Sequence, residues 1–174
     1  MLDVLFIAPG NAKGIYQDLA NDYSAIEPPT WALLLAESWR STGFVPQIIA
    51  VTAQQLSHQD VVDKINSILP RVIVLVVYGQ NVNSGTTGMS GAVILTNFIK
   101  QKNIEIPIVY IGSHVQALPV ETLKKESSID IVCLNEGVYA LQNLLKLSTI
   151  NIKTLSTVNG IGYKKDKKVY LTKP

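Results

Sequence analysis

Cysteine is almost absent: Cys133 is the only one in 174 residues. That excludes an internal disulfide, a Cys-x-x-Cys redox pair and a cysteine-held iron–sulfur cluster within the chain, and it points to a reducing cytoplasm. Its Ile-Val-Cys-Leu setting reads as core. Charge is also scarce, at 16% of residues, and the 15 basic and 13 acidic residues leave a formal charge of only +2. A balance of that kind disfavours nucleic acid or an anionic membrane surface as partner. The one basic run, Lys164, Lys165, Lys167 and Lys168, reads as a solvated hairpin turn. No apolar run approaches the roughly 20 residues of a membrane helix. Met1-Leu2-Asp3-Val4 lacks the basic region that opens a signal peptide, so neither export nor a membrane is expected.

What the sequence has is apolar mass. Hydrophobic residues make up 47%, which fits one compact domain with a well-covered sheet. Short runs rich in β-branched residues at 4–8, 45–51, 72–78, 108–111 and 129–134 alternate with longer stretches at helical spacing. This is the pattern of βαβ units around a parallel sheet buried on both faces. Helices are predicted over 31–41, 60–69, 90–101 and 138–147, with a shorter one over 119–125. Leu33, Leu34 and Leu35 are expected to share a face with Trp39, with Gly43 as the stop. In the second helix the inner residues are Val61, Val62, Ile65 and Ile68, before Pro70. In the third they are Val93, Ile94, Phe98 and Ile99. The segments 160–163 and 169–171 flank the lysine run as a small β-hairpin appended to the sheet. The expected fold is α/β and Rossmann-like (flavodoxin-like): an open sheet of five mostly parallel strands with helices on both faces, plus the C-terminal hairpin. Residues 1–157 would form the domain and 158–174 the hairpin and a linker.

In such a sheet ligands bind beyond the carboxyl ends of the strands, which singles out four loops. After the first strand comes Pro9-Gly10-Asn11-Ala12-Lys13-Gly14, whose glycines could bring backbone N–H groups to a ligand or form a plain turn. It matches neither Gly-x-Gly-x-x-Gly nor the phosphate loop with lysine after its last glycine. After the third strand, Tyr78-Gly79-Gln80-Asn81-Val82-Asn83-Ser84-Gly85-Thr86-Thr87-Gly88 is rich in hydroxyls and amides, suited to a large uncharged polar ligand or to capping a helix. Part of it resembles the flavodoxin phosphate loop, which however follows the first strand. The fourth strand ends in Gly112-Ser113-His114-Val115, where small residues would let a planar ligand approach. His114 reads as a metal ligand, a base or a hydrogen-bonded loop histidine. His58, before a helix, has less claim. The fifth strand ends in Asn135-Glu136-Gly137, with Glu136 either binding a ligand hydroxyl or capping the next helix.

Several of these segments, in order, resemble the N-terminal cobalamin-binding domain of cobalamin-dependent radical S-adenosylmethionine enzymes. They are Val4-Leu5-Phe6-Ile7-Ala8-Pro9, Pro28-Pro29-Thr30-Trp31-Ala32-Leu33-Leu34-Leu35-Ala36 and Gly43-Phe44-Val45-Pro46. They continue with Ile108-Val109-Tyr110-Ile111-Gly112-Ser113-His114, Leu118-Pro119-Val120-Glu121-Thr122-Leu123, Asn135-Glu136-Gly137 and Val158-Asn159-Gly160-Ile161-Gly162-Tyr163. The resemblance spans nearly the whole chain. It departs at Ser113, Asn135 and Val138, where family members typically carry glycine, glycine and glutamate. It also lacks the Asp-x-His-x-x-Gly loop of another cobalamin-domain class, so no histidine from the first loop is expected on cobalt. The resemblance implies cobalamin over the strand ends, its nucleotide tail entering between the sheet and the loop after the third strand. Pro9, Gly10 and Asn11, with the Tyr78 to Asn81 stretch, Ser84, Thr86, Gly112 to Val115, Glu136 and Gly137, would line the site. It further implies that S-adenosylmethionine and a four-iron cluster belong to a separate catalytic domain, in the same polypeptide or in trans, with methyl transfer as the parent activity.

Two other readings compete. A regulatory or receiver-like module shares the topology but needs an acidic cluster after the first strand and a phosphorylatable Asp after the third, where Pro9-Gly10-Asn11 and Tyr78-Gly79-Gln80 stand. A stand-alone transferase or hydrolase using His114 and Glu136 would need a nucleophile, base and orienting group at a recognised spacing, and none is present.

Overall fold

The structure is a computed structural model that describes residues 2–10, 26, 28–78 and 82–174, without the side chains of Val82, Asn83 and Ser84. β1 (Val4–Ala8), β2 (Pro46–Ala50), β3 (Val72–Val76), β4 (Ile108–Ile111) and β5 (Ile131–Cys133) pair in parallel. β6 (Ile161–Lys165) and β7 (Lys168–Leu171) continue the sheet antiparallel, giving the order β2-β1-β3-β4-β5-β6-β7. The five parallel strands and the terminal hairpin read from the sequence thus form one seven-stranded sheet. A two-residue loop closes the hairpin, with Asp166 and Lys167 at φ 50° and 64°. Positive φ at both centres is the turn whose twist matches the flanking strands. Lys164 departs from the solvated reading of the lysine run. It is part-buried, and its Nζ donates to the Glu126 and Ser127 carbonyls at 2.9 and 3.3 Å.

The helices are α1 (Thr30–Arg40), α2 (His58–Ile68), α3 (Val82–Gln101), α4 (Ser113–Ala117), α5 (Pro119–Lys125), α6 (Val138–Lys146) and α7 (Ile152–Leu155). One core layer packs α1 and α6 on Val4, Phe6, Val74 and Val109. The other packs α2 and α3 on Leu5, Ile7, Ile73 and Leu75. Alternate strand residues feed opposite layers, as a pleated sheet requires.

Three expectations need correction. On α1 the buried stripe is Ala32, Leu35, Ala36 and Trp39, whereas Leu33 and Leu34 are 50% and 59% exposed. Consecutive helical residues lie about 100° apart, so three in a row cannot share one face. On α3 the same rule puts Leu95, Thr96 and Ile99 inside and leaves Ile94 exposed. α3 also begins at Val82, not Ser90, so the stretch from Ser84 to Gly88 is helix rather than loop. The reason is packing: a Cβ on Gly85 would lie 3.3 Å from the Val77 carbonyl oxygen, and one on Gly88 the same distance from Val77 Cγ1. Its glycines let the first turns of α3 lie on the end of β3. Deeper in α3, the buried Thr96 hydroxyl meets Tyr110 OH and Ser128 Oγ, each at 2.9 Å.

Candidate functional site

The chain leaves β1 toward β2 in one direction and returns to β3 on the other side of β1, after which β4 and β5 follow outward. The strand order therefore reverses between β1 and β3, and beyond the carboxyl ends of such a pair is where open α/β sheets bind their ligands. Tyr78 stands there at the end of β3. Its ring stacks on Trp31 in the first turn of α1, with centroids 4.5 Å apart and planes 24° apart. Its hydroxyl accepts a hydrogen bond from Gln116 Nε2 of α4 at 2.7 Å. Burial, with a smaller contribution from the Glu136 carboxylate, pushes the Tyr78 hydroxyl up to about 12. Tyr78 is thus a neutral, fixed hydroxyl at any physiological pH.

The β4 end is built on backbone contact. Gly112 has φ 152°, and a Cβ there would lie 2.2 Å from the Val77 carbonyl oxygen. Next to it, Ser113 Oγ occupies the space a Gly85 side chain would need, 2.1 Å from the position of its Cβ. These small residues therefore serve the close fit of β3, α3 and β4. On the Cβ side of Gly112 the space is taken by Val77, whereas Ser113 and His114 remain part-exposed. Val115 is fully buried and packs into the second core layer. His114 lies on α4 rather than in a loop, and its Nδ1 is 3.3 Å from Thr86 Oγ1. Among the described residues, no three His, Cys, Asp or Glu side chains gather to hold a metal ion.

At the β5 end, Asn135 Oδ1 accepts from the Gly137 N–H at 2.9 Å. Gly137, at φ 78°, is the N-cap of α6. A Cβ on it would meet Ile111 Cδ1 at 2.3 Å. Asn135, not Glu136, thus ties down this turn, and Glu136 stays exposed on the face. Beneath it Cys133 is buried, and burial pushes its thiol up to about 12, so it is no nucleophile. After β1, Pro9 and Gly10 are both part-exposed, and a Cβ on Gly10 would lie 2.2 Å from Thr52 Oγ1. Asn11, Gly79, Gln80 and Asn81 lie outside the described residues, as does the side chain of Ser84.

The face therefore joins Trp31, Tyr78, Gln116, His114 with Thr86, and Glu136. Trp31 and Gln116 are absent from the set expected on the sequence. For Trp31 the signal was present, an aromatic in the first turn of a helix introduced by Pro28-Pro29-Thr30. For Gln116 it was not, because nothing marks 113–117 as a helix rather than a loop. Chemically the face offers an aromatic platform, neutral hydroxyl and amide groups and one carboxylate, a surface for a large ligand with apolar and amide parts.

Comparison with known proteins bears on this face. The family model described as the B12 binding domain matches residues 16–145. A search of curated proteins finds no match. Among solved structures, the cobalamin-dependent S-adenosylmethionine radical enzyme OxsB, with aqua-cobalamin and S-adenosylmethionine bound, is 16% identical with a TM-score of 0.66. The alignment covers 99% of this chain and 22% of that one. The radical S-adenosylmethionine methyltransferase TsrM from Kitasatospora setae, with cobalamin and a 4Fe-4S cluster bound, is 11% identical with a TM-score of 0.71, over 100% of this chain and 29% of that one. At these identities the likeness shows a shared fold, and the chain spans less than a third of either structure.

Proposed function

The chain belongs to the B12-binding domain family, and from that premise we propose that it is the cobalamin-holding module of a radical S-adenosylmethionine enzyme, with methyl transfer as the parent activity. The observation that carries the placement is the aromatic and amide face at the reversal of strand order, where Trp31 stacks on Tyr78 and Gln116 fixes the Tyr78 hydroxyl. The fit to cobalamin is chemical. The cofactor is a large, mostly uncharged molecule with an apolar macrocycle and many amide arms, and the face offers aromatic surface and neutral hydrogen-bonding groups in place of a phosphate-binding glycine loop. When bound, cobalamin supplies a cobalt centre able to carry a methyl group.

The residues of this chain bind and orient. Tyr78, un-ionised and anchored to Gln116, presents a rigid ring edge. Thr86 and His114 steady each other across the α3–α4 junction. Glu136, held outward by the Asn135 turn, is available to accept from amide N–H groups. The loop after β1, Pro9-Gly10-Asn11-Ala12-Lys13-Gly14, contains no histidine, so it would offer no imidazole to a bound cobalamin. The first-loop residues Pro9, Gly10 and Asn11, and the post-β3 residues Gly79, Gln80, Asn81 and Ser84, complete the proposed cradle.

One cysteine cannot hold a four-iron cluster, so cluster and S-adenosylmethionine chemistry must come from a partner domain. We place that domain in the same polypeptide, beyond the 158–174 hairpin, and the assembly in the cytoplasm. No helix among the described residues is long and apolar enough to cross a membrane. The test is direct: mix purified protein with hydroxocobalamin, desalt, and record the visible spectrum. Near-stoichiometric corrin absorbance eluting with the protein is expected, and none at micromolar protein would overturn the proposal.

A further inference from the structure

The molecule has two tryptophans with opposite fates. Trp39 is fully buried against Phe6 and Phe44. Trp31 is 41% exposed although one face of its indole is covered by Tyr78. An indole left this open, in the first turn of α1 where Leu33 and Leu34 are also exposed, gains little from folding alone. Its position is better explained by something that stacks on it.

We infer that Trp31 is the stacking partner of the benzimidazole base on the cofactor's nucleotide tail. The inference rests on the cobalamin reading above and assigns a specific part of the ligand to a specific residue. Shape decides between the two flat candidates in cobalamin. The corrin macrocycle is puckered, and methyl and amide arms project from both its faces, which holds an indole away from close parallel contact. The benzimidazole is a flat, unsubstituted-face bicycle of the same size as indole, and such pairs stack offset with ring centroids about 4.5–7 Å apart. The setting agrees. Trp31 lies in the first turn of α1, which with α6 covers one face of the sheet, and it stacks on Tyr78 of the segment after β3, so a tail entering beside that segment meets this indole. Behind Trp31, the Tyr78 ring is part-buried and its hydroxyl is fixed by Gln116 at 2.7 Å. The indole therefore has a rigid backing and stays in place when a base is added.

The test uses two corrinoids that differ in the tail: hydroxocobalamin, and diaquacobinamide, which has the corrin but neither nucleotide nor base. Affinities for the wild type, Trp31→Ala and Trp31→Phe are measured by visible absorbance titration, with Trp39 emission and the urea midpoint confirming the fold of each variant. Loss of one base–aromatic stack predicts roughly 5- to 100-fold weaker hydroxocobalamin binding for Trp31→Ala. Trp31→Phe should recover part of that loss, and diaquacobinamide should bind all three proteins equally. If Trp31→Ala binds hydroxocobalamin as the wild type does, or loses both corrinoids to the same extent, the assignment of Trp31 to the base is wrong. Failure of the wild type to bind either corrinoid would instead sink the cobalamin reading itself.

Discussion

Alanine at Gly112 places a Cβ 2.2 Å from the Val77 carbonyl oxygen and 2.7 Å from its carbonyl carbon. Both are backbone atoms of a residue whose own N–H is bonded to the Ile111 carbonyl at 2.8 Å. No rotamer change can relieve the contact, and β3 and β4 would have to part where they form the floor of the candidate site. Two costs combine. A non-glycine residue at this φ of 152° costs about 1–3 kcal/mol, and a rigid overpacking contact adds about 1–3 kcal/mol. The sum, about 4 kcal/mol, is a large part of the roughly 5–15 kcal/mol that holds a domain together. Gly43 is the internal control, because it has φ 89° but nothing within 4 Å of an added Cβ. Gly43→Ala therefore carries the conformational cost alone, about 1–2 kcal/mol. Urea unfolding followed by far-ultraviolet circular dichroism on both variants should place Gly112→Ala at least about 2 kcal/mol below Gly43→Ala. If the two fall within about 0.5 kcal/mol of each other, the β3–β4 end yields easily and the rigid-floor argument is refuted.

The buried hydroxyl group at Thr96 bridges Tyr110 and Ser128. Thr96→Val should cost about 1–3 kcal/mol in a thermal or urea melt by stranding them, whereas Thr96→Ser should cost clearly less. Tyr78 sets a pH dependence. Its folded value, near 12, lies above the ordinary 10.0, so between these values the unfolded chain sheds a proton that the folded chain keeps. Stability contributed by Tyr78 is fully present below about pH 10 and lost as pH rises toward about 12. The urea midpoint should fall over that range, and less steeply in Tyr78→Phe. The remaining slope belongs to other groups, among them Tyr110, whose hydroxyl burial also shifts upward.

Strand positions were legible because a sheet covered on both faces writes unbroken β-branched runs into the sequence. Val72–Val76 and Ile108–Ile111 are such runs, and each is wholly buried. The family could be read as well, from short segments in a shared order. What local pattern could not supply was the use to which small residues are put. Gly85 and Gly88 look like loop residues in sequence, yet they sit inside α3 because Val77 and Ser113 lie against them. Gly112 is small where the backbone of Val77, just past β3, lies against it. Such contacts join residues of different elements and leave no periodic trace. Helix faces misread for a different reason: three leucines in a row at 33–35 suggest an apolar face, but only Leu35 falls on the stripe set by Ala32, Ala36 and Trp39. The Trp31–Tyr78–Gln116 cluster, drawn from three elements, becomes visible only once the strand order is known.

Hydrogen exchange with and without hydroxocobalamin tests the location of the proposed site most directly. The account predicts added protection at the strand ends, around Trp31, Tyr78, residues 112–117 and residues 135–138, with the hairpin over 161–171 and the opposite ends of the strands unchanged. Protection concentrated on the hairpin or at the amino ends of the strands would contradict it.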